Sequence, residues 1–403
     1  MRTVPKWSKK PKYHWSSTRF ERTSPSGIPW HALGSKKPRQ VLRTRPQMVK
    51  MKEIKNLTLT ELTDEIKALG EAGYRAKQIY EWLHVKLAKD FDDMSNISVA
   101  LRNKLKENFE FTKLTTVRVS ESKIDSTKKF LFETKDGNYI ESVWMQYHHG
   151  NSVCISSQIG CRMGCRFCAS TIDGLVRSLS AAEMLEQIYE ITRITGERVS
   201  NVVVMGMGEP MDNYDNLVKF VKLLTCPEGL NISARNVTVS TCGIVPKIKE
   251  LAEENLPITL ALSLHAPNDE KRKELMPIAN SYSISECLEA CDYYFEKTKR
   301  RVSFEYSLVA GVNDNDEEAE ELSALLRGHN GHVNLIPVNP IKERDFKRSD
   351  KTRIFAFQNK LEKNGINVTI RREMGRDIDG ACGQLRRRHN EEARGLDSDK
   401  GCI

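Results

Sequence analysis

Three cysteines stand close together in Cys161-Arg-Met-Gly-Cys165-Arg-Phe-Cys168, and their spacing defines the chemistry to look for. Three thiolates on one short loop leave a 4Fe–4S cluster one ligand short of the four cysteines it normally takes. The iron left open can chelate the amino and carboxylate groups of S-adenosylmethionine, which sets that molecule's sulfonium beside an electron donor. Zinc is the alternative, with Cys154 or a histidine as fourth ligand. Zinc sites usually show paired C-x2-C knuckles, however, and this chain has no second one.

Other residues could serve such a ligand. Gly206-Met-Gly208-Glu209-Pro210 would bring backbone close to it and offer Glu209 to an ammonium group. Ser240 and Ser263 can hydrogen-bond ribose or carboxylate oxygens, although a lone serine at a strand end is more often a cap. Asn339, between Val338 and Pro340, is of the same kind. Cys382 lies alone in Asp377-Ile-Asp379-Gly-Ala-Cys382-Gly-Gln-Leu, and is either a buried bystander or a reactive thiol. Cys154 reads as a core thiol on a strand, and Cys287 with Cys291 as packing residues on a helix. Glu141 falls on an alternating strand, where a glutamate is ordinarily solvated. Cys226, Cys242 and Cys402 carry no usable signal.

These residues need elements to position them. From residue 152 onward strands alternate with helical patterns, which predicts an α/β fold with a parallel sheet. Candidate strands cover 153–156, 200–205, 236–240, 258–263, 302–308 and 333–338. The helix after the cysteine loop opens at Ser180-Ala-Ala-Glu183, a capping box. Six such units suit a partial (β/α)6 TIM-like barrel over residues 152–372, with a doubly wound open sheet as the alternative. On that reading the cysteine loop follows the first strand and Gly206-Met-Gly208-Glu209 the second. Ser240 ends the third, Ser263-Leu264-His265 the fourth, and Asn339 follows the sixth. Barrels build their active sites at the C-terminal ends of strands, and scattered polar residues would not be expected to meet on one rim.

Upstream, residues 51–110 read as a small helical domain, with Leu62-Ile66-Leu69 and Ile79-Leu83 at helical spacing. Residues 111–151 read as a short β extension, with alternation over 130–133 and 139–145. Residues 373–403 form a C-terminal segment carrying Cys382. Residues 1–50 hold thirteen Lys and Arg against the single acid Glu21 and read as a basic disordered tail, with Met51 a natural alternative start.

The formal charge is +9, concentrated in that tail and in Arg386-Arg387-Arg388. Such patches attract phosphate backbones. No apolar run approaches the roughly 18 residues of a membrane helix, and the basic N-terminus lacks the apolar core of a secretory signal. Mean hydropathy is −0.51, so a cytoplasmic protein without membrane association is expected. Ten cysteines in such a chain point to metal or redox chemistry rather than to a disulfide framework.

Four strings occur in order: Cys154-Ile-Ser-Ser-Gln-Ile-Gly-Cys161-x3-Cys165-x2-Cys168, Gly-Met-Gly-Glu-Pro, Ser-Leu-His-Ala-Pro-Asn-Asp and Asp-Ile-Asp-Gly-Ala-Cys-Gly-Gln-Leu. Together they resemble the RlmN/Cfr family of radical S-adenosylmethionine (SAM) RNA adenine methyltransferases, over residues 51–388. The resemblance implies that two SAM molecules serve each turnover. One methylates Cys382. The other binds the 4Fe–4S cluster of Cys161, Cys165 and Cys168 and is cleaved to a 5′-deoxyadenosyl radical. That radical takes a hydrogen from the methyl on Cys382, and the methylene radical adds to an adenine carbon.

The resemblance also implies roles for residues that spacing left open. Glu141 matches the proton acceptor, thirteen residues before Cys154. Cys154 matches the thiol that releases the protein–RNA adduct by forming a disulfide with Cys382. Gly208, Glu209, Ser240, Ser263, Leu264, His265 and Asn339 match SAM contacts. The implied partners are 23S rRNA, tRNA and an external one-electron donor such as flavodoxin. Pro210 and the extra residue in Asp-Ile-Asp-Gly-Ala-Cys resemble the RlmN branch, which methylates carbon 2, rather than the Cfr branch, which methylates carbon 8. Carbon 2 is electron-poor and carries no acidic proton, so a radical can add where ordinary displacement from SAM cannot. Adenine must leave its stack to be reached, which favours loop or single-stranded RNA.

Overall fold

Helix starts in this chain are written locally. Thr58 with Glu61 forms a capping box at α1 (Leu59–Ala68), which buries Leu62 and Ile66. α2 (Tyr74–His84) buries Ile79 and Leu83, and α3 (Val99–Asn108) opens at Ser98. The box at Ser180 and Glu183 starts α4 (Ala181–Thr195), which ends where Gly196 takes φ 68°. The computed structural model describes residues 51–399 apart from 149, 342 and 379–381, with backbone alone for 391 and 393–399. The expected tail over 1–50 and Cys402 therefore lie outside the described residues.

The N-terminal helices are fastened to α4 by buried polar contacts. Lys55 pairs with Glu186 and donates to the Thr112 carbonyl at 2.9 Å. His84 Nδ1 meets the Tyr189 hydroxyl at 2.6 Å. Breaking one side of a buried ion pair costs about 3–5 kcal/mol, so Lys55 and Glu186 make this docking specific.

One ten-stranded sheet carries the rest. β1 (Thr115–Glu121), β2 (Lys128–Glu133) and β3 (Tyr139–Tyr147) form an antiparallel meander, and β3 pairs antiparallel with β4 (Gly150–Cys154). β5 (Val199–Val204), β6 (Val237–Thr241), β7 (Thr259–Ser263), β8 (Val302–Leu308), β9 (Gly331–Pro337) and β10 (Val368–Ile370) follow, each parallel to its predecessor. The connections after β5 run through α5 (Tyr214–Thr225), α6 (Val245–Glu253), α7 (Asp269–Leu275), α8 (Ile284–Thr298), α9 (Asp316–Leu326) and α10 (Lys351–Lys363). α11 (Gln384–Asp399) then closes the described chain.

Strand order in the parallel part follows chain order without reversal. A doubly wound sheet reverses at a switch point; a singly wound, unclosed barrel does not, and among the described strands β10 is not joined back to β4. That excludes the doubly wound alternative. β8 is buried along its whole length, as expected for a parallel strand covered on both faces. Two strands of this sheet escaped the sequence reading. β10 is three residues long, too short to show a period, and β1 is an edge strand with mostly exposed or half-exposed positions. Among the described residues, no helix is long and apolar enough to cross a membrane.

Candidate active site

Between β4 and α4 the chain makes a closed excursion. A short ladder of Gln158–Gly160 against Leu175–Ser178 forms its base. Gly160 has φ +77°, and a Cβ there would lie 1.9 Å from the Gly174 carbonyl oxygen, so only glycine fits. Above this base sit Cys161, Cys165 and Cys168. Cys161 N donates to Gly174 O at 3.0 Å, and Arg166 N to Leu275 O at 2.9 Å, which ties the loop to the end of α7.

The three cysteines line one cavity of about 280 Å³, with Gly208, Glu209, Ser240, Ser263, His265, Asn339 and Cys382. The expected rim is thus assembled in space. Leu264 is the exception: its side chain turns into the core, because neighbouring strand residues alternate faces and Ser263 takes the cavity side.

The donor set was tested against the group it would hold. Burial pushes all three thiols up, Cys161 to about 12. Keeping three thiolates there needs a positively charged centre among them, as an iron–sulfur core supplies. Of the two fourth zinc ligands considered, Cys154 lines a different cavity, while a histidine, His265, does border this one. No three His, Cys, Asp or Glu side chains among the described residues converge closely enough for a single metal ion. The site fits an open-sided cluster and not tetrahedral zinc.

The glycines of the second loop border the cavity and also answer to a neighbouring segment. A Cβ on Gly206 would lie 2.6 Å from Ile155 O; on Gly208, at φ +101°, it would lie 2.5 Å from Gln158 Cβ. Close packing on the chain leaving β4 is therefore what demands glycine. Gln158 Oε1 accepts from Glu209 N at 2.8 Å, and its Nε2 donates to Asp212 at 3.0 Å. Glu209 is buried, and its carboxylate accepts from Met211 N at 3.0 Å and Cys242 N at 2.8 Å. Burial pushes its carboxyl up, and the backbone N–H bonds oppose the shift.

Ser240 Oγ and Ser263 Oγ lie 3.3 Å apart. His265 Nδ1 accepts from Ser307 N at 2.9 Å, so the proton of the neutral ring is on Nε2. Burial, with Arg272 nearby, holds this imidazole down to about 3 and hence neutral. Phe167 of the cysteine loop meets its ring edge-on at 4.8 Å.

Cys382 also lines a second cavity, of about 320 Å³, with Cys154, Met145, Tyr147, Arg371, Arg372, Met374 and Arg376. Among the described residues, only Ile336, Asn339 and Cys382 border both cavities. The Cys382 thiol donates to Met205 O at 3.5 Å and lies beside the Cys154 thiol; both are free. The neighbouring Cys154 thiol lowers Cys382 to about 7 against the effect of burial, with Lys129 helping. The same neighbour, with burial, pushes Cys154 up.

Glu141 is not solvated: it is 3% exposed. α11 covers it. Its carboxylate accepts from Gly383 N at 2.7 Å and Arg386 N at 2.6 Å, and pairs with Lys129 Nζ at 2.9 Å. It borders neither cavity and stands behind Cys382. Lys129, Gln158, Cys242, Arg272 and Arg371 were missed in the sequence. One signal existed for Lys129. It faces Val143 while Glu141 faces Leu131, so the two charges are diagonal neighbours on one face of the β2–β3 pair.

Residues 155–323 match the family model of the radical SAM superfamily, and residues 52–111 match that of the ribosomal RNA large subunit methyltransferase N-terminal domain. The chain is 66% identical over 342 residues to a probable dual-specificity RNA methyltransferase RlmN of Lachnospira eligens, covering 85% of this chain and 98% of that protein. A protein of the same description from Lachnoclostridium phytofermentans is 63% identical, over 84% of this chain and 96% of its own length. The crystal structure of a radical SAM methyltransferase from Sphaerobacter thermophilus superposes with a TM-score of 0.80 at 45% identity, covering 83% of this chain and 98% of that one. Identity at this level, over nearly the full length of each relative, leaves one reading: the chain belongs to the RlmN family of radical SAM, dual-specificity RNA methyltransferases.

Proposed function

We propose that this methyltransferase adds a methyl group to carbon 2 of an adenine in 23S rRNA and of the adenine beside the anticodon in tRNA, through a methyl carried on Cys382. The observation that supports this most directly is that Cys382 borders both the cavity of Cys161, Cys165 and Cys168 and the arginine-lined cleft. A carrier must reach its methyl source on one side and its acceptor on the other.

Cys161, Cys165 and Cys168 would hold the 4Fe–4S cluster, and Gly208, Glu209, Ser240, Ser263, His265 and Asn339 would orient SAM. When bound, the cluster supplies the electron that cleaves SAM to a 5′-deoxyadenosyl radical. Two SAM molecules are consumed, one for the methyl group and one for the radical. Cys382, with its thiol lowered to about 7, is a nucleophile for the first methyl transfer at neutral pH. The methyl it gains loses a hydrogen atom to the 5′-deoxyadenosyl radical and, as a methylene radical, forms a bond to the adenine carbon. The adduct gives its unpaired electron back to the oxidised cluster, and the proton of that carbon passes to Glu141, behind Cys382. Cys154, beside Cys382 in the cleft, attacks its sulfur. The sulfur–carbon bond breaks, the released carbon takes up a proton to become the product methyl, and the two cysteines are left as a disulfide.

Arg371, Arg372 and Arg376 suit phosphates at the cleft mouth, while Met145, Met374 and Tyr147 offer an apolar slot for a base taken out of its stack. An external one-electron donor such as flavodoxin completes the cycle. Mass spectrometry of nucleosides from treated rRNA and tRNA tests the proposal. The expected product is 2-methyladenosine, and 8-methyladenosine in its place would overturn the assignment of the carbon.

A further inference from the structure

We propose that Arg272 is a positioning residue for this reaction, a fixed buried cation that anchors the strand ends under the cluster cavity and makes the cluster easier to reduce. The proposal rests on the reading of Cys161, Cys165 and Cys168 as cluster ligands.

Arg272 lies on α7 and is 0% exposed. Its guanidinium donates to Cys242 O at 2.7 Å, to Ser263 O and Leu264 O at 3.3 Å, and to Tyr282 O at 3.5 Å. Four backbone carbonyls take its donors, and the Cys287 thiol lies beside it. An isolated cation is expensive to bury, because its desolvation is returned only by an opposite charge or by a full set of acceptors. Three of these carbonyls lie at or just past the ends of β6 and β7, where Ser240 and Ser263 face the cavity. The bonds fix that rim. Hydrogen bonds alone do not require a permanent charge, since an amide side chain could donate to the same carbonyls.

The charge has a counterpart when the site is loaded. Cys165 packs with Cys242, Leu275 and Met276, so the cysteine loop rests on the helix and strand end that Arg272 joins. An oxidised cubane bound by three thiolates is an anion, and adding one electron makes it a stronger one. A nearby buried cation favours the reduced form more than the oxidised one, and net charge around a cluster is among the determinants of its potential. Glu209 sits on the other side of Cys242, accepting from its N–H while Arg272 donates to its carbonyl. Glu209 lines the cavity and Arg272 does not. The anion is therefore placed for the ammonium of SAM and the cation behind the ligand loop.

The test reconstitutes the full chain anaerobically as wild type, R272K, R272M and R272Q. Each is reduced stepwise with a chemical one-electron reductant and mediators, and the reduced cluster is followed by electron paramagnetic resonance. At the wild-type midpoint R272M and R272Q are expected to show about a tenfold lower ratio of reduced to oxidised cluster, ~59 mV for one electron, with R272K close to wild type. An unchanged midpoint in R272Q at full cluster content would overturn the proposal. So would an equal shift in R272K and R272Q, which would assign the effect to lost carbonyl contacts. R272Q keeps a donor for Cys242 O and so decides the matter if R272M fails to fold. A wild-type chain that takes up no cluster would instead refute the ligand assignment itself.

Discussion

Glu141 Oε1 accepts the backbone N–H of Arg386 at 2.6 Å, so a side chain in the β meander caps the helix that begins just after Cys382. Its other oxygen accepts from Gly383 N and meets Lys129. A helix N-terminus presents unsatisfied donors and a partial positive charge, and a carboxylate answers both. The acid read as proton acceptor and the thiol read as methyl carrier are therefore held by one clamp.

This clamp separates two roles that a simple loss of activity would merge. Glu141→Gln retains an oxygen for one N–H and loses the negative charge. RNA methylation should fall on the order of 100-fold or more, the typical worth of a general base. Methylation of Cys382, read as a mass increase on its peptide after single turnover, should persist. Loss of both would make Glu141 only the support of Cys382. Lys129→Met leaves Glu141 buried without its cation and should lower unfolding stability by about 3–5 kcal/mol in a denaturant titration.

Substitution of the two thiols should stop the reaction at different stages. Cys382→Ala leaves the cluster loop intact, so SAM should still be cleaved slowly while methyl transfer to RNA is lost. Absence of SAM cleavage in a protein with full cluster absorbance would contradict these roles. Cys154→Ala should accumulate a covalent protein–RNA adduct, visible as a shifted band on a denaturing gel. Free, fully methylated RNA at normal turnover would refute its part in release.

Much of the rim was legible in the sequence because it depends on local rules. Strand periodicity and the capping box at Ser180 locate the strand ends, and Ser240, Ser263, His265 and Asn339 sit on them or next to them. By the same periodicity the side chain of Leu264 turns into the core, since its neighbour Ser263 takes the cavity face. Glu141 failed for a non-local reason. The helix that buries it arrives 242 residues later, and nothing near 141 announces it. Lys129 and Arg272 share that cause: a charged residue reads as surface until distant chain closes over it. Gly206 and Gly208 were found for their softness, but the contact requiring it, with Ile155 and Gln158, is a tertiary one.

The pairing of Cys382 with Cys154 sets a pH dependence. A thiol lowered to about 7 is mostly thiolate at pH 8 and mostly protonated at pH 6. Alkylation of Cys382 by iodoacetamide, followed by peptide mass, should therefore rise through pH 7, well below the ordinary thiol range. The neighbouring Cys154 thiol is the largest cause of the lowering. Cys154→Ala should then move the profile to higher pH, and an unmoved profile would show that another group sets it.

Gly208→Ala isolates the second loop from the first. The added methyl would meet Gln158 at 2.5 Å on a backbone with φ +101°, so it is strained by both space and conformation. The loop must lift from the chain leaving β4, breaking the Glu209 N to Gln158 bond and displacing the Glu209 carboxylate from Cys242 N. The ladder under Cys161, Cys165 and Cys168 begins at Gln158 but is held by its pairing with Leu175–Ser178, so the cluster should be kept. The expected result is normal cluster absorbance with SAM affinity reduced by about tenfold or more, measured by equilibrium binding. Wild-type affinity in this variant would mean that Glu209 does not hold SAM, and loss of the cluster would mean that the two loops fold as one unit.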